Sequence, residues 1–298
     1  MLTVLLTSPR VAPGLLTWEA WSLLRAASLV AAPAGHPQVP ALAAAGVQCV
    51  LTTAPPGAHE PRQVVWLAPP GSYDVPAGAD VLAGAVDLPG AHLLDLVVTM
   101  DRLRTGCPWD AKQTHLSLAP HLLEEPYEAL EALESGDMDA FREELGDVLL
   151  QVVFHARIAA DFTIDDVADG IVSKLVRRHP HVFGDVRVAD ADEVKRNWDA
   201  IKKQEKAGAP GSFVSVLDGV PLGQPALSLA AQLQRRASRL EAPDSLMDLD
   251  GDAGVGAELF RLVRDARAAG LDPELELRAA ARRYRDQVRV WEQSSPEA

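Results

Sequence analysis

The chain has 298 residues, a formal net charge of −14, and 48% hydrophobic residues. This length and apolar content are enough for one large domain or roughly two to three small ones, each with its own core. The acidic balance disfavours a long nucleic acid as partner, because such binders need a basic face to displace counterions. A small phosphate ligand bridged by a metal ion remains compatible with it.

The chain carries no sequence signal for a membrane or for export. Its apolar runs stay below the roughly 18 to 20 residues of a spanning helix, and its start, MLTVLLTSPR, has no basic stretch before an apolar segment. The two cysteines, Cys49 and Cys107, match no metal or disulfide pattern, which fits a reducing compartment. We therefore expect a cytoplasmic protein.

Residues 1–88 differ in composition from the remainder. They are rich in Ala, Pro and Gly, and short apolar runs such as LTVLL and CVLTT surround one helical segment over residues 16–29. The order strand, helix, strand predicts a small α/β extension.

Helical periodicity begins after this extension. Beyond an apolar segment ending at Met100 and the loop TGCPWD, the spacing predicts helices over about 118–135, 138–161, 164–178 and 190–206. Residues 207–221 are predicted to be a linker, and a last helical block occupies 222–298. The fold class is therefore mainly α, with domains at 1–88, 89–206 and 222–298.

Acidic residues recur at helical spacing within residues 121–150. Glu124, Glu125 and Glu128 lie on the first helix, and Glu144 and Asp147 on the second. Separations of three and four residues place each set on one helix face. If the helices fold back at the Ser-Gly-Asp break, the carboxylates converge, which is costly unless a hard cation such as Mg²⁺ neutralises them.

A solvated helix face is the alternative interpretation of these acids. Against it, the second helix is apolar almost all round, so Glu144 and Asp147 fall close to its buried side. Carboxylates near a buried face need partners.

Proline residues complicate the first acidic helix. Pro126 lies between Glu125 and Glu128, and a proline inside a helix costs about 3 kcal/mol. We predict a kink or a later helix start there. Pro120 is harmless if it lies in the first turn.

The acidic motif and its neighbours resemble the MazG family of all-α nucleoside triphosphate pyrophosphohydrolases. EExxE is followed after 15 residues by ExxD. The similar segments, in MazG order and spacing, are MDRLRTGCPWDAKQTHLSLAPHLLEEPYEAL, ELGDVLLQVVFHARIA and KLVRRHPHVFGD. The resemblance implies a helical bundle that forms a homodimer. It also implies hydrolysis of an NTP or dNTP to the monophosphate and pyrophosphate, in clearance of non-standard or damaged nucleotides.

The resemblance also implies roles for individual residues. The Mg²⁺ ligands, with Mn²⁺ as a substitute ion, would be Glu125, Glu128, Glu144 and Asp147. Glu124 would be a further ligand or would orient the attacking water.

Basic and aromatic side chains nearby are candidates for binding the phosphates and the base. They are Trp109, Lys174, Arg177, Arg178, Trp198 and Lys202. The alternative is that the basic residues are solvated and that the tryptophans fill a core.

Both flanks resemble incomplete copies of known domains. Residues 258–292 are similar to the later half of a second MazG unit, but its ELGD positions fall on Gly254, Val255, Gly256 and Ala257. Without carboxylates this copy is expected to be non-catalytic and kept for packing or dimerisation. Residues 1–50 are similar to the opening of a tetrapyrrole methylase domain. TSPRVAPG replaces its glycine-rich turn, so we predict no methyl transfer, and an unrelated extension is equally open.

Two functional alternatives stay open. One is hydrolysis of another nucleotide phosphate, such as phosphoribosyl-ATP or a signalling nucleotide. The other is a regulatory protein that binds a nucleotide without turnover.

Overall fold

The structure is a computed structural model that describes residues 1–57, 62–71, 75–206, 215–238, 240 and 254–294. By internal contacts the chain divides into two compact units, Met1–Leu175 and Val176–Ala298. The domain boundaries predicted at residues 88, 206 and 221 stay predictions.

The first unit begins with a parallel sheet of five strands in the order β3-β2-β4-β1-β5. The strands are β1 (Leu2–Leu6), β2 (Leu29–Ala32), β3 (Val50–Leu51), β4 (Val64–Leu67) and β5 (Asp80–Ala83). Helices α1 (Trp18–Ala26) and α2 (Val39–Ala44) form two of the connections, as parallel strands need crossovers. The predicted small α/β extension is confirmed.

Local chemistry explains where this extension departs from the prediction. Helix α1 is shorter than predicted, because the Thr17 side chain caps its start and β2 already begins at Leu29. Helix α2 was not predicted, since its six residues are too short to show a helical period. Leu24 of α1 and Leu42 of α2 pack with Leu5, Val65 and other residues on one face of the sheet.

The acidic motif lies on a helical hairpin of the first unit. The helices around it are α3 (Leu93–Gly106), α4 (Pro108–Lys112), α5 (Ala119–Ser135), α6 (Met138–Ile158) and α7 (Ile164–Arg178), the last of which continues into the second unit. Gly136 ends α5 in a left-handed conformation, with φ of 80°. Asp137 caps α6 by accepting hydrogen bonds from the amides of Asp139 and Ala140. The predicted turn at Ser-Gly-Asp is confirmed.

The two proline predictions have different outcomes. Helix α5 is continuous from Ala119 to Ser135 with Pro126 inside it, so a later helix start is wrong, while the kink stays a prediction. Pro120 lies in the first turn, as expected. The predicted loop TGCPWD is wrong, because α3 extends to Gly106 and Pro108 begins α4 after a single extended residue, Cys107.

The second unit is helical throughout its described elements. They are α8 (Pro180–Phe183), α9 (Ala191–Lys206), α10 (Ala226–Ala237), α11 (Val255–Ala268) and α12 (Pro273–Ser294). Residues 207–214 of the predicted linker lie outside the described residues. Among the described helices, none combines the length and apolar character that a membrane crossing requires.

Candidate metal centre

Three carboxylates converge where α5 and α6 face each other. One oxygen each from Glu125, Glu144 and Asp147 lies within 4.8 Å of the others. Glu125 projects from α5, and Glu144 and Asp147 lie three residues apart on α6, within one turn. The arrangement brings three carboxylates together at a spacing that is compatible with one shared cation.

Helix α5 packs against α6, and its buried residues are small. Ala129 and Ala132 are the buried residues of α5, and each follows the acidic motif at a helical interval. The core of this region consists of Met100, Val153, Phe154 and Leu118. The hairpin is therefore fixed by packing on one side of α6, while its acids are held on a partly buried surface.

The electrostatics of the cluster show mutual repulsion. Burial, followed by the charges of Asp147 and Glu128, raises the pKa of Glu125 above its ordinary value. Burial, followed by the charges of Glu128, Asp147 and Glu125, also raises the pKa of Glu144. Within the described part of the chain, no lysine or arginine forms an ion pair with Glu125, Glu144 or Asp147. The cluster therefore favours a cation supplied from outside the chain.

The chemistry of the donor set fits a hard divalent ion. All three converging donors are carboxylate oxygens, the ligands that Mg²⁺, Mn²⁺ and Ca²⁺ prefer over softer metals. A fourth polar atom, the amide oxygen Oε1 of Gln151, is buried nearby without a hydrogen-bond partner among the described residues. The residues present fit such an ion.

The two other predicted acids lie outside the group of three. The charge of Glu128 raises the pKa of Glu125 and of Glu144, which places it close to both. The side chain of Glu124 is 60% exposed, and its Oε2 lies 3.2 Å from Nδ1 of His121. Their predicted roles as ligand and as water-orienting group stay predictions.

The candidate substrate-binding residues occupy several places in the chain. Trp109 is 56% exposed on α4, and Lys174 is half-buried on α7, both in the first unit. In the second unit, Nε of Arg177 lies 2.7 Å from Oε1 of Glu205, and NH2 of Arg178 lies 2.6 Å from Oε2 of Glu205. The roles predicted for these residues stay predictions.

The remaining two candidates are also in the second unit. The guanidinium of Arg178 lies 5.4 Å from the ring centroid of Trp198, in a cation–π contact. Lys202 is half-buried on α9. The Arg–Glu pairs hold Glu205 as a carboxylate, and they lower its pKa to about 2.

Sequence reasoning missed Gln151 and a histidine pair. Gln151 lies one turn beyond Asp147 on α6, and its Nε2 is 3.5 Å from Oε1 of Glu125. One turn further, Nδ1 of His155 lies 2.8 Å from Nδ1 of His115, and burial followed by the charge of His115 lowers the pKa of His155. Gln151 and His155 follow Asp147 at four and eight residues, and this helical spacing was the available signal for both positions.

A helical hairpin that gathers three carboxylates places the chain among α-helical proteins with a candidate site for a hard metal ion. Within that class, the family model of the MazG nucleotide pyrophosphohydrolase domain matches residues 113–183. A protein of Thermotoga maritima named nucleoside triphosphate pyrophosphohydrolase/pyrophosphatase MazG is 40% identical over 223 residues, which cover 67% of this chain and 85% of that protein. The chain belongs to the MazG family.

Two further relatives show how far the likeness extends. An uncharacterized 26.1 kDa protein of Streptomyces cacaoi is 50% identical over 231 residues, covering 76% of this chain and 93% of that protein. A nucleoside triphosphate pyrophosphohydrolase of Mycolicibacterium smegmatis is 44% identical over 223 residues, covering 72% of this chain and 64% of that protein. The predicted fold class and the predicted family are confirmed.

Proposed function

We propose that the protein hydrolyses a nucleoside or deoxynucleoside triphosphate to the monophosphate and pyrophosphate, with Mg²⁺ at the carboxylate cluster. The observation that supports this proposal is that Glu125, Glu144 and Asp147 bring oxygens within 4.8 Å of one another. Among the described residues, no lysine or arginine forms an ion pair with them. Membership of the MazG family supports the reaction class. Clearance of non-standard or damaged nucleotides in the cytoplasm is the proposed role.

The acidic residues would have different roles in this reaction. Glu125, Glu144 and Asp147 would hold the ion, which when bound neutralises charge on the triphosphate oxygens. Glu128 is a candidate fourth ligand. Glu124 is exposed beside the cluster, so it is the candidate to orient the attacking water or to accept its proton. Water forms a bond to the α or the β phosphorus, the anhydride bond between these two phosphorus atoms breaks, and the monophosphate and pyrophosphate are released without a covalent intermediate.

Recognition of the nucleotide is proposed to use the basic and aromatic candidates. Lys174, Arg177, Arg178 and Lys202 would contact the phosphates, and Trp109 and Trp198 would stack on the base. Arg177 and Arg178 pair with the carboxylate of Glu205, so a phosphate group would compete with Glu205 for them. Single alanine variants at these positions test the assignment through the KM for the triphosphate.

We further propose a homodimer. Large apolar side chains stay exposed on the helices of the first unit, among them Leu123 on α5, Leu145 and Val152 on α6, and Ile171 on α7. An exposed apolar surface of this kind favours association of two copies. Sedimentation equilibrium measures the mass directly, and a monomer at micromolar concentration would contradict the proposal.

The reaction is tested with purified protein, Mg²⁺, and a panel of canonical and oxidised nucleoside triphosphates together with phosphoribosyl-ATP. Pyrophosphate and monophosphate are measured for wild type, for Glu144→Ala, and for the control Glu143→Ala, whose side chain is exposed on the same helix. We expect pyrophosphate release that EDTA abolishes, that Glu144→Ala loses, and that Glu143→Ala keeps. Labelled water then shows whether the α or the β phosphorus is attacked.

Other outcomes would point elsewhere. Release of inorganic phosphate with a diphosphate would contradict pyrophosphate hydrolysis. Nucleotide binding without any turnover would favour a regulatory protein, and full activity in Glu144→Ala would exclude Glu144 as a metal ligand.

A further inference from the structure

Gln151 combines deep burial with an unfinished set of hydrogen bonds. It lies on α6, one turn beyond Asp147, and its relative exposure is 5%. Its Nε2 is 3.5 Å from Oε1 of Glu125, while its own Oε1 is buried with no hydrogen-bond partner among the described residues. A carboxylate accepts but does not donate, so the amide must present its N–H to Glu125. The amide oxygen is thereby left as an acceptor.

This arrangement is unfavourable for the folded chain alone. A buried acceptor without a donor costs about 1–3 kcal/mol. The neighbouring residues of α6 are Leu150, Val152 and Val153, so an apolar residue at position 151 would continue the helix without that cost. An unsatisfied buried polar group next to a candidate site therefore calls for a donor that the chain does not supply.

We propose that Gln151 is a positioning residue of the metal centre. Its amide N–H holds Glu125 in the orientation in which that carboxylate binds the ion, and its amide oxygen accepts a hydrogen bond from a water molecule on the ion. Mg²⁺ and Mn²⁺ keep several waters when carboxylates bind them, and such waters donate hydrogen bonds. Groups that orient ligands in this way set metal affinity. The inference rests on the metal centre of the proposed function.

A purely structural role for Gln151 predicts a different pattern. If its contact with Glu125 served only the packing of α5 against α6, its loss would lower stability and leave the ion's affinity unchanged. If Gln151 positions the metal centre, its loss weakens the binding of the ion. It does not lower the stability of the ion-free protein, because the unsatisfied oxygen disappears with it. Stability and metal affinity therefore separate the two roles.

The variant Gln151→Met keeps the length of the side chain and removes both polar atoms, and Gln151→Leu serves if methionine is not tolerated. Gln234→Met is the matched control. Gln234 is also buried, at 1% exposure, but its Nε2 donates to the carbonyl of Phe260 at 2.8 Å and its Oε1 accepts from Arg267 at 3.3 Å. The control thus removes satisfied hydrogen bonds far along the chain from the acidic motif.

The experiment titrates full-length protein with Mn²⁺, without nucleotide, and measures free Mn²⁺ by electron paramagnetic resonance. Thermal unfolding in EDTA is measured on the same samples. We expect Gln151→Met to raise the Kd for Mn²⁺ by about 10- to 100-fold, with no fall in its unfolding temperature. Gln234→Met should show a lower unfolding temperature and an unchanged Kd.

Two results would overturn the inference. One concerns Gln151 alone, and the other also concerns the metal centre. An unchanged Mn²⁺ affinity in both Gln151 variants would remove the positioning role and leave the metal centre intact. A wild type that binds no Mn²⁺ would overturn the metal centre, and the role of Gln151 with it.

Discussion

A group of carboxylates in the first unit has no ion-pair partner among the described residues, whereas a carboxylate in the second unit is paired with arginines. In the first unit, Glu125, Glu144 and Asp147 converge without an ion-pair partner in the described residues, and the pKa of Glu125 and of Glu144 is raised. In the second unit, Glu205 receives two arginines, and hydrogen bonds from Arg178 and Arg177 lower its pKa to about 2. The carboxylates of the first site repel one another, whereas two arginines neutralise the carboxylate of the second.

The difference is not explained by a shortage of cations in the first unit. There Arg10 pairs with Asp87 and with Asp95, and hydrogen bonds from Ser8 to Asp87 and from Arg10 to Asp95 help to lower the pKa of each carboxyl. The chain thus neutralises acids internally where they serve the fold. The absence of such a partner at the hairpin, among the described residues, makes those acids the candidate site for an external cation. The contrast predicts four outcomes, which follow from the largest expected effect to the smallest.

The largest effect is expected from removing one charge from the cluster. Asp147→Asn keeps the shape of the side chain but loses a ligand oxygen's charge. A bound metal supplies several kcal/mol of charge stabilisation, so pyrophosphate release should fall roughly 100-fold or more. Steady-state assays at saturating Mg²⁺ measure the fall. Glu143→Gln, an exposed neighbour on α6, is the charge-matched control and should retain activity. Equal activity in both variants would contradict the assignment.

A lysine placed beside the carboxylate cluster should form an ion pair with it, as the arginines do with Glu205. Gln151→Lys puts an ammonium where the amide now contacts Glu125. The ion-free protein should become more stable, since an opposite charge relieves the repulsion. Mn²⁺ binding and activity should fall by at least about tenfold, because the lysine competes for the same oxygens. Thermal unfolding in EDTA and Mn²⁺ titration measure both effects. Tight Mn²⁺ binding by this variant would show that the cluster does not need to remain unpaired.

The hairpin was predictable because its determinants are local. Separations of three and four residues fixed the acids to one face of each helix, and Ser135-Gly136-Asp137 supplied a left-handed residue and an N-cap for the turn. The sequence did not separate Glu125 from Glu124 and Glu128, because helical spacing permits all three. Packing of the hairpin decides which oxygen reaches the partners on α6.

Long-range contacts set the limit of sequence reasoning. Glu205 lies 27 and 28 residues from Arg178 and Arg177, so no helical period connects them. Gln151 carries no charge and stands in an apolar run, and its meaning depends on burial, which only the folded chain shows. The short helix α2 was missed for a different reason, since six residues give too little periodicity.

A smaller effect concerns the stability of the ion-free protein. The raised pKa of Glu144 means that ionising this group opposes folding, so its penalty appears as pH rises from about 4.5 through that raised pKa. Glu144→Gln should therefore be more stable than wild type in EDTA, by a margin that grows over this range. Mn²⁺ at one hundred times its Kd should stabilise wild type by about 2.7 kcal/mol and reverse the order. Urea unfolding at several pH values measures the margin. A constant margin would contradict the prediction.

The smallest effect is expected at Glu205, with the opposite pH dependence. Its pKa is lowered from 4.5 to about 2, so the stability that this carboxylate contributes is present above about pH 4.5 and is lost as pH falls towards 2. Wild type should therefore exceed Glu205→Gln in unfolding free energy at neutral pH, by a difference that shrinks on acidification. Solvent screens these partly exposed pairs, so the difference should be modest and should decrease with salt. Asp192→Asn, an exposed acid on the same helix, is the control. If the stability of wild type minus that of its glutamine variant changed in the same direction with pH at Glu144 and at Glu205, the distinction between unpaired and paired carboxylates would be wrong.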